Sequence, residues 1–127
     1  MDSFKGIRRK IAILGASDKP GRYSHMLIRR LLDKGHQVFP VNPAFKAIDG
    51  IPVYPDLRSL PAGIEVLSIY MNAVRSDGLA EAILASGIPR VVFNPGAENP
   101  ALQCRLAEKG AEVLEACSLV LSGMDQL

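Results

Sequence analysis

Short apolar runs alternate with amphipathic segments along the first third of the chain. Residues 9–15 form a β-branched run that ends in glycine, which is typical of a strand buried on both faces. Apolar residues then recur at helical spacing over residues 24–34, where Ser24 is a candidate N-cap and Gly35 a candidate helix end with positive φ. Residues 37–42 predict a second strand, because valine and phenylalanine suit a pleated, buried surface. These elements together predict a βαβ unit.

The segment after this unit has weak periodicity and many turn signals. Between residues 44 and 61, the pair Asp49-Gly50 is flanked by isoleucines, and prolines punctuate the rest. An Asp-Gly pair between apolar residues favours a tight hairpin turn. The sequence therefore predicts a short hairpin or an edge strand here.

The remainder of the chain repeats the strand-helix pattern. One helix is marked by apolar positions over residues 79–86 and ends at Gly87, and another begins with Asn99 as N-cap and Pro100 as first helical residue. Three further buried strands are predicted, at residues 64–70, 90–94 and 112–116.

This alternation predicts an α/β fold, namely a single Rossmann-like, doubly wound domain over residues 1–127 with a mostly parallel sheet and helices on both faces. The chain is expected to move outward from the first strand to the second, and then to cross back and lay residues 64–70 on the other side of the first strand. Ligands bind such sheets in the crevice where the strand order reverses, at the carboxyl ends of the strands. The loops at residues 15–23, 42–46, 70–74 and 94–99 are the candidate site.

Composition narrows the class of function. The 127 residues include 15 Lys or Arg and 13 Asp or Glu, a net charge of +2, whereas proteins that bind nucleic acid through its phosphates usually carry a strong basic excess. No apolar run is long enough for a signal peptide or a membrane span, so a cytoplasmic protein without nucleic-acid or membrane partners is expected. The two cysteines, Cys104 and Cys117, predict neither a disulfide framework nor a zinc site.

The first loop has the features of a phosphate-binding loop. It leads from a strand into a helix, whose free N–H groups and dipole favour an anion. A dinucleotide fingerprint would need further glycines after Gly15 and an acidic residue at the end of the second strand, but the chain has Ser17, Pro20 and Asn42 at these positions. A Walker-type loop is also excluded, because Gly-Lys-Ser/Thr does not occur.

Three cations are predicted around the crevice: Lys19, Arg22 and Lys46. Each charge-assisted contact favours a further anionic oxygen, so the cations suit a ligand with more phosphate than a plain diphosphate. Coenzyme A, with a diphosphate and a 3′-phosphate, fits this count. NADP also fits, and the charges alone leave both open.

Three sequence motifs carry a family resemblance. GASDKPGRYS at residues 15–24, PVNP at 40–43 and ACSLV at 116–120 resemble the small stand-alone CoA-binding domain family, which is similar to the CoA-binding domain of the succinyl-CoA synthetase α subunit. The resemblance covers nearly the whole chain. It implies that residues 16–19 wrap the CoA diphosphate, that residues 42, 43 and 46 line the adenosine side, and that residues 70–74 and 94–96 close the pocket. In the synthetase one residue separates proline from lysine, whereas two separate Pro43 from Lys46 here.

The leading hypothesis is therefore non-catalytic binding of coenzyme A or an acyl-CoA. The alternatives are an NAD(P)-binding oxidoreductase-like protein, a detached acyl-CoA ligase subunit, and an interaction domain whose protein partner is unknown. No catalytic constellation is identified; Tyr70 could equally be a core residue, and Cys117 is better interpreted as a small buried hydrophobe. The candidate binding residues are Gly15, Ala16, Ser17, Asp18, Lys19, Arg22, Asn42, Pro43, Lys46, Tyr70, Met71, Asn72, Val74, Asn94 and Gly96.

Overall fold

The architecture is a parallel five-stranded sheet with helices on both faces and a small hairpin beside it. The computed structural model describes residues 8–127, so residues 1–7 lie outside the described part, including the first six residues, where the sequence predicts no signal peptide. The strands are β1 (Lys10–Leu14), β2 (Gln37–Val41), β3 (Ala47–Ile48), β4 (Ile51–Pro52), β5 (Val66–Ile69), β6 (Arg90–Phe93) and β7 (Glu112–Glu115).

The helices cover the sheet in two layers. Helices α1 and α5 pack on one face, called the α1 face below, and α3 and α4 pack on the other, called the α3 face. Across residues 8–127, no helix is long and apolar enough to cross a membrane. The helical elements are α1 (Tyr23–Asp33), the 3-10 turn Leu57–Ser59, α2 (Ala73–Asp77), α3 (Ala80–Ser86), α4 (Pro100–Glu108) and α5 (Ser118–Gly123).

The central strands are mostly apolar because alternate residues enter different cores. In β1, Ile11 and Ile13 pack on the α1 face, whereas Ala12 and Leu14 pack on the α3 face. Side chains that alternate across a doubly covered sheet must be apolar on both sides. The sequence pattern therefore identified the strands correctly, and the predicted α/β fold is confirmed.

The strand order is β2-β1-β5-β6-β7, and all neighbours are parallel. After β2 the chain returns across the sheet and lays β5 on the other side of β1, as the sequence predicts. The order therefore reverses between β1 and β5, and the loops that follow these two strands run in opposite directions. This is the place where doubly wound sheets hold ligands.

The predicted hairpin is present and supplies an edge pairing as well. Asp49 and Gly50 have φ of +50° and +80°, which is the arrangement of a two-residue primed turn between β3 and β4. Tyr54 then forms an isolated parallel bridge with Val41 of β2. The chain after the hairpin thus runs beside the sheet edge and reaches the carboxyl ends of the strands.

The helix ends follow the sequence signals with one correction. Gly35 and Gly87 have the predicted positive φ, and Asn99 Oδ1 accepts a hydrogen bond from the N–H of Leu102 at the start of α4. Ser24 is not an N-cap: it lies inside α1 and is buried, because a turn before the helix places the extended cap residue at Arg22. Helices α2 and α5 were not predicted.

Candidate functional site

A cavity of about 640 Å³ opens on the α3 face, next to the carboxyl ends of β1, β2 and β5. This volume is within the range of small-molecule sites, and the cavity lies where the strand order reverses. Its lining is mostly apolar, with one carboxylate and two guanidinium groups. The lining residues are Leu14, Gly15, Val41, Asn42, Pro43, Pro55, Asp56, Leu57, Arg58, Met71, Arg75, Gly78, Leu79 and Ala82.

Gly15 brings the first loop close to the end of β5. Its φ is +86°, and a Cβ at this position would lie 3.0 Å from the carbonyl oxygen of Tyr70. Its N–H donates a hydrogen bond to the carbonyl oxygen of Val41 at 3.1 Å. Glycine alone adopts this φ readily and leaves space for the carbonyl group. Gly15 therefore fixes the start of the loop between the ends of three strands.

The rest of this loop is held by local hydrogen bonds and leaves its charges exposed. Ser17 Oγ accepts from the N–H of Lys19 at 3.1 Å, and the carbonyl of Lys19 accepts from the N–H of Arg22 at 3.0 Å. The side chains of Asp18, Lys19 and Arg22 are exposed, whereas Ala16 is fully buried. The loop residues after Gly15 do not line the cavity. They connect Gly15, which does line it, to the start of α1.

The first turn of α1 lacks a side-chain cap. Arg22 occupies the N-cap position and its side chain makes no capping hydrogen bond. The first N–H groups of a helix have no partner within the helix, and together with the helix dipole they attract anions. An uncapped start of an eleven-residue helix, preceded by two exposed cations, is suited to an anionic group.

Asn42 connects the ends of β1 and β2. Its Nδ2 donates to the carbonyl oxygen of Ala16 at 2.8 Å, and its Oδ1 accepts from the N–H of Ala44 at 2.8 Å. The side chain is thus engaged at both ends within the protein. Asn42 lines the cavity as predicted, and the structure adds that it holds the first loop against the loop after β2.

Of the residues after β2, Pro43 lines the cavity and Lys46 does not. Lys46 is exposed beside the hairpin, and its carbonyl accepts from the N–H of Val53 at 3.0 Å. The extra residue between Pro43 and Lys46 marks the point where this chain departs from the synthetase pattern. The structure therefore does not place Lys46 with the other predicted residues at the cavity.

Sequence reasoning missed the two walls that carry the cavity's charges. Asp56 and Arg58 lie at the 3-10 turn, and Arg75 lies on α2. Hydrogen bonds from Ser59 Oγ and the Ser59 N–H hold the pKa of Asp56 below its usual value, so this carboxylate stays ionised. The sequence carries no signal for these walls, because the segment before them reaches β2 only through the single bridge between Tyr54 and Val41.

The residues that follow β5 divide between two roles. Met71 lines the cavity and is buried, as predicted. Asn72 does not line it but caps α2, because its Oδ1 accepts from the N–H of Arg75 at 3.0 Å. Val74 is 81% exposed on the outer side of α2 and is absent from the lining.

Asn94 is not available to a ligand, contrary to its predicted role in closing the pocket. It is 1% exposed. Its Nδ2 donates to Ser68 Oγ at 2.9 Å and to the carbonyl of Ile69 at 2.8 Å, and its Oδ1 accepts from the N–H of Ser118 at 2.7 Å. Because both ends of its amide group bond to β5 or to the start of α5, Asn94 is a structural residue.

Two further predicted residues are near this network and outside the cavity lining. Among the residues that the structure describes, the buried Tyr70 hydroxyl has no hydrogen-bond partner. Burial, and less strongly the neighbouring Cys117, raises the pKa of this phenol, which stays protonated at neutral pH. Gly96 is exposed in a turn with φ of +88°, and its N–H donates to Glu98 Oε1 at 2.9 Å. Within the cavity lining, the structure brings together four of the predicted residues, namely Gly15, Asn42, Pro43 and Met71.

Comparison with known proteins finds a relative of similar length and a much longer enzyme that matches over a small part of its chain. The chain is 29% identical over 106 residues to the uncharacterized protein YneT of Bacillus subtilis, which covers 84% of this chain and 78% of that protein. It is also 29% identical over 63 residues to acetate–CoA ligase (ADP-forming) I of Archaeoglobus fulgidus, which covers 50% of this chain and 9% of the ligase. A solved structure, the hypothetical protein from Pyrococcus horikoshii OT3, superimposes with a TM-score of 0.85 at 27% identity over 92% of this chain and 83% of that one.

The match to a protein family covers nearly the whole described chain. Residues 9–123 match the CoA binding domain family, from β1 to the end of α5. This confirms the resemblance that the loop and Pro-Val-Asn-Pro motifs indicated. The chain belongs to the CoA binding domain family.

Proposed function

We propose that this chain binds coenzyme A, free or acylated, at the carboxyl edge of its sheet and catalyses no reaction itself. The observation that carries the proposal is one cavity at the strand reversal, whose lining includes Gly15, the first residue of the loop that leads to the uncapped start of α1. An apolar cavity suits a flat base, and a helix start suits phosphate. Coenzyme A contains both parts joined through one ribose.

The diphosphate is assigned to the start of α1. The first-turn N–H groups supply donors, and the side chains of Lys19 and Arg22 supply positive charge at an exposed position. Charge-assisted hydrogen bonds of this kind are among the stronger polar contacts of proteins. The hydrogen bond from Asn42 to the Ala16 carbonyl keeps the loop that leads to this helix against the end of β2.

The adenosine is assigned to the cavity on the α3 face. Leu14, Leu57, Met71, Leu79 and Ala82 supply apolar surface on several sides. Burial of a purine between such side chains is favoured by the apolar area that it removes from water. Gly15 lines the cavity at the start of the loop that leads to α1, so the ribose is assigned to the stretch between the cavity and this helix.

The charged groups of the lining favour binding over acid-base chemistry. Arginine keeps its proton throughout the physiological range and is not a general base. Asp56 is the carboxylate of the lining, and one of its oxygens already accepts two hydrogen bonds from Ser59. The residues at the cavity therefore support recognition of a ligand rather than proton transfer.

Equilibrium titration with CoA, 3′-dephospho-CoA, NAD and NADP tests the proposal. We expect CoA to bind most tightly, because it alone among the four combines a diphosphate, an adenine and a 3′-phosphate. Tighter binding of NAD or NADP than of CoA would contradict the proposal. Native mass spectrometry of freshly purified protein provides an independent check, because a retained ligand is identified by its mass.

A second candidate function follows from the similarity to the acetate–CoA ligase. In this interpretation the chain is a detached CoA-binding part of an acyl-CoA ligase and acts with a nucleotide-binding partner. Nucleotide-dependent thioester formation by the purified chain, alone or with added partner, would support it. Absence of such activity together with tight CoA binding would favour the simple binding module.

A further inference from the structure

Two arginines enter the cavity from different elements without an ion-pair partner. Arg58 belongs to the 3-10 turn and Arg75 to α2, and both line the cavity. Among the ion pairs of residues 8–127, neither guanidinium group has a carboxylate within 4.0 Å. The nearby Asp56 carboxylate is engaged with Ser59. Arg58 is close enough to Asp56 to help lower the pKa of that carboxyl, but no described carboxylate holds either guanidinium in an ion pair, so both can meet an anion from outside.

The position of Arg75 is set by hydrogen bonds that hold a short helix. Asn72 caps α2 through the N–H of Arg75 itself. At the other end of α2, Asn99 Nδ2 donates to Ser76 Oγ and to Asp77 Oδ1, both at 2.8 Å. A five-residue helix is not stable alone, so these contacts with the start of α4 keep Arg75 at the cavity wall.

The arginines and the α1 start lie on opposite faces of the sheet. The apolar cavity residues Leu14, Val41 and Leu57 belong to the α3-face core, whereas α1 packs on the α1 face. A ligand that satisfies both positive regions needs two separate phosphate groups, one on each side of Gly15. A ribose with a 5′-diphosphate and a separate phosphomonoester has this arrangement.

We propose that Arg58 and Arg75 together form the subsite for the ribose phosphomonoester of the bound nucleotide and make the protein select CoA over 3′-dephospho-CoA. The inference rests on the proposed function, since it concerns the same cavity. It assigns the discrimination between CoA and 3′-dephospho-CoA to the 3-10 turn and α2 rather than to Lys46. The family resemblance places Lys46 on the adenosine side, but the structure leaves this residue outside the cavity lining. Arginine suits this task because its planar fork offers paired donors to phosphate oxygens.

The test measures the affinities of both nucleotides for five variants, one of them Lys46→Ala. Arg58→Ala, Arg75→Ala and their combination are compared with Arg105→Ala, a matched control whose guanidinium pairs with Glu81 outside the cavity. For the unmodified protein we expect CoA to bind at least about tenfold more tightly than 3′-dephospho-CoA, as for a charge-assisted contact. Each cavity variant lowers this ratio, and the double variant brings it to about one while 3′-dephospho-CoA affinity changes less than about threefold. Far-ultraviolet circular dichroism confirms that each variant is folded.

The outcomes separate the two proposals. Tight CoA binding with an unchanged ratio in the double variant overturns the arginine subsite and leaves the proposed function intact. A ratio that collapses in Lys46→Ala instead assigns the phosphate to the hairpin side and also overturns the subsite. No measurable binding of either nucleotide to the unmodified protein overturns both proposals.

Discussion

The carboxyl edge of the sheet has an open half and a closed half. Around β2, β1 and β5 the loops separate and leave a cavity, whereas at β5, β6 and β7 the side chains of Ser68, Asn94 and Ser118 form a buried hydrogen-bond network. Both halves follow apolar parallel strands, and both are bordered by loops with polar residues. The difference arises from topology, because the strand order reverses only in the open half.

A polar residue at a strand end either reaches the cavity or is buried beneath a helix. Asn42 and Asn94 each follow a strand of the same sheet, and both use their amide groups within the protein. Asn42 nevertheless lines the cavity, whereas Asn94 is covered by α5. Position at the edge therefore identifies candidates, and the covering helix decides which of them a ligand can reach.

The largest effect on stability is expected when the buried hydrogen-bond network of the closed half is broken. Asn94→Ala removes three hydrogen bonds at a site with 1% exposure and leaves the N–H of Ser118 without its partner. Unsatisfied buried polar groups are costly, so we expect a loss of about 2–4 kcal/mol in the free energy of unfolding, measured with urea. Asn72→Ala, which removes a solvent-exposed helix cap, is the matched control and should cost about 1 kcal/mol. Equal losses in the two variants would contradict the structural role of Asn94.

A smaller effect on stability is expected when the cavity of the open half is filled by a side chain. Ala82→Phe places a ring into the cavity from α3, and we expect the dissociation constant for CoA to rise about tenfold or more because the adenosine site is filled. The change in stability should stay within about 1 kcal/mol, since the ring enters existing space. Ala85→Phe, at an exposed position of the same helix outside this cavity, is the control. Unchanged CoA affinity in Ala82→Phe would place the ligand elsewhere.

The fold could be predicted because its signals are local and redundant. Residues 9–15 and 64–70 are apolar on successive positions because each strand faces two cores, and Gly35 and Gly87 mark helix ends that need positive φ. The strand reversal then follows from the connection lengths and from the handedness of parallel crossovers. The general place of the cavity was therefore predictable.

The details of the site were less predictable because short helices contain no recognisable apolar repeat. Helices α2 and α5 have five and six residues, too few for an apolar repeat to be recognised. Arg75 on α2 was consequently missed although residues 70–74 were named, and Asn94 was assigned to the pocket because α5, which covers it, was not predicted. Arg58 lies after a strand-like segment that pairs with β2 through a single bridge, a contact that sequence spacing does not show.

A crystal structure of the protein grown with CoA tests directly whether the open half binds this nucleotide. We expect the adenine in the cavity between Leu57 and Met71 and the diphosphate at the start of α1. We expect the 3′-phosphate within hydrogen-bond distance of Arg58 or Arg75. A nucleotide bound away from this edge, with the cavity filled only by water at saturating CoA, would contradict CoA binding at the strand reversal.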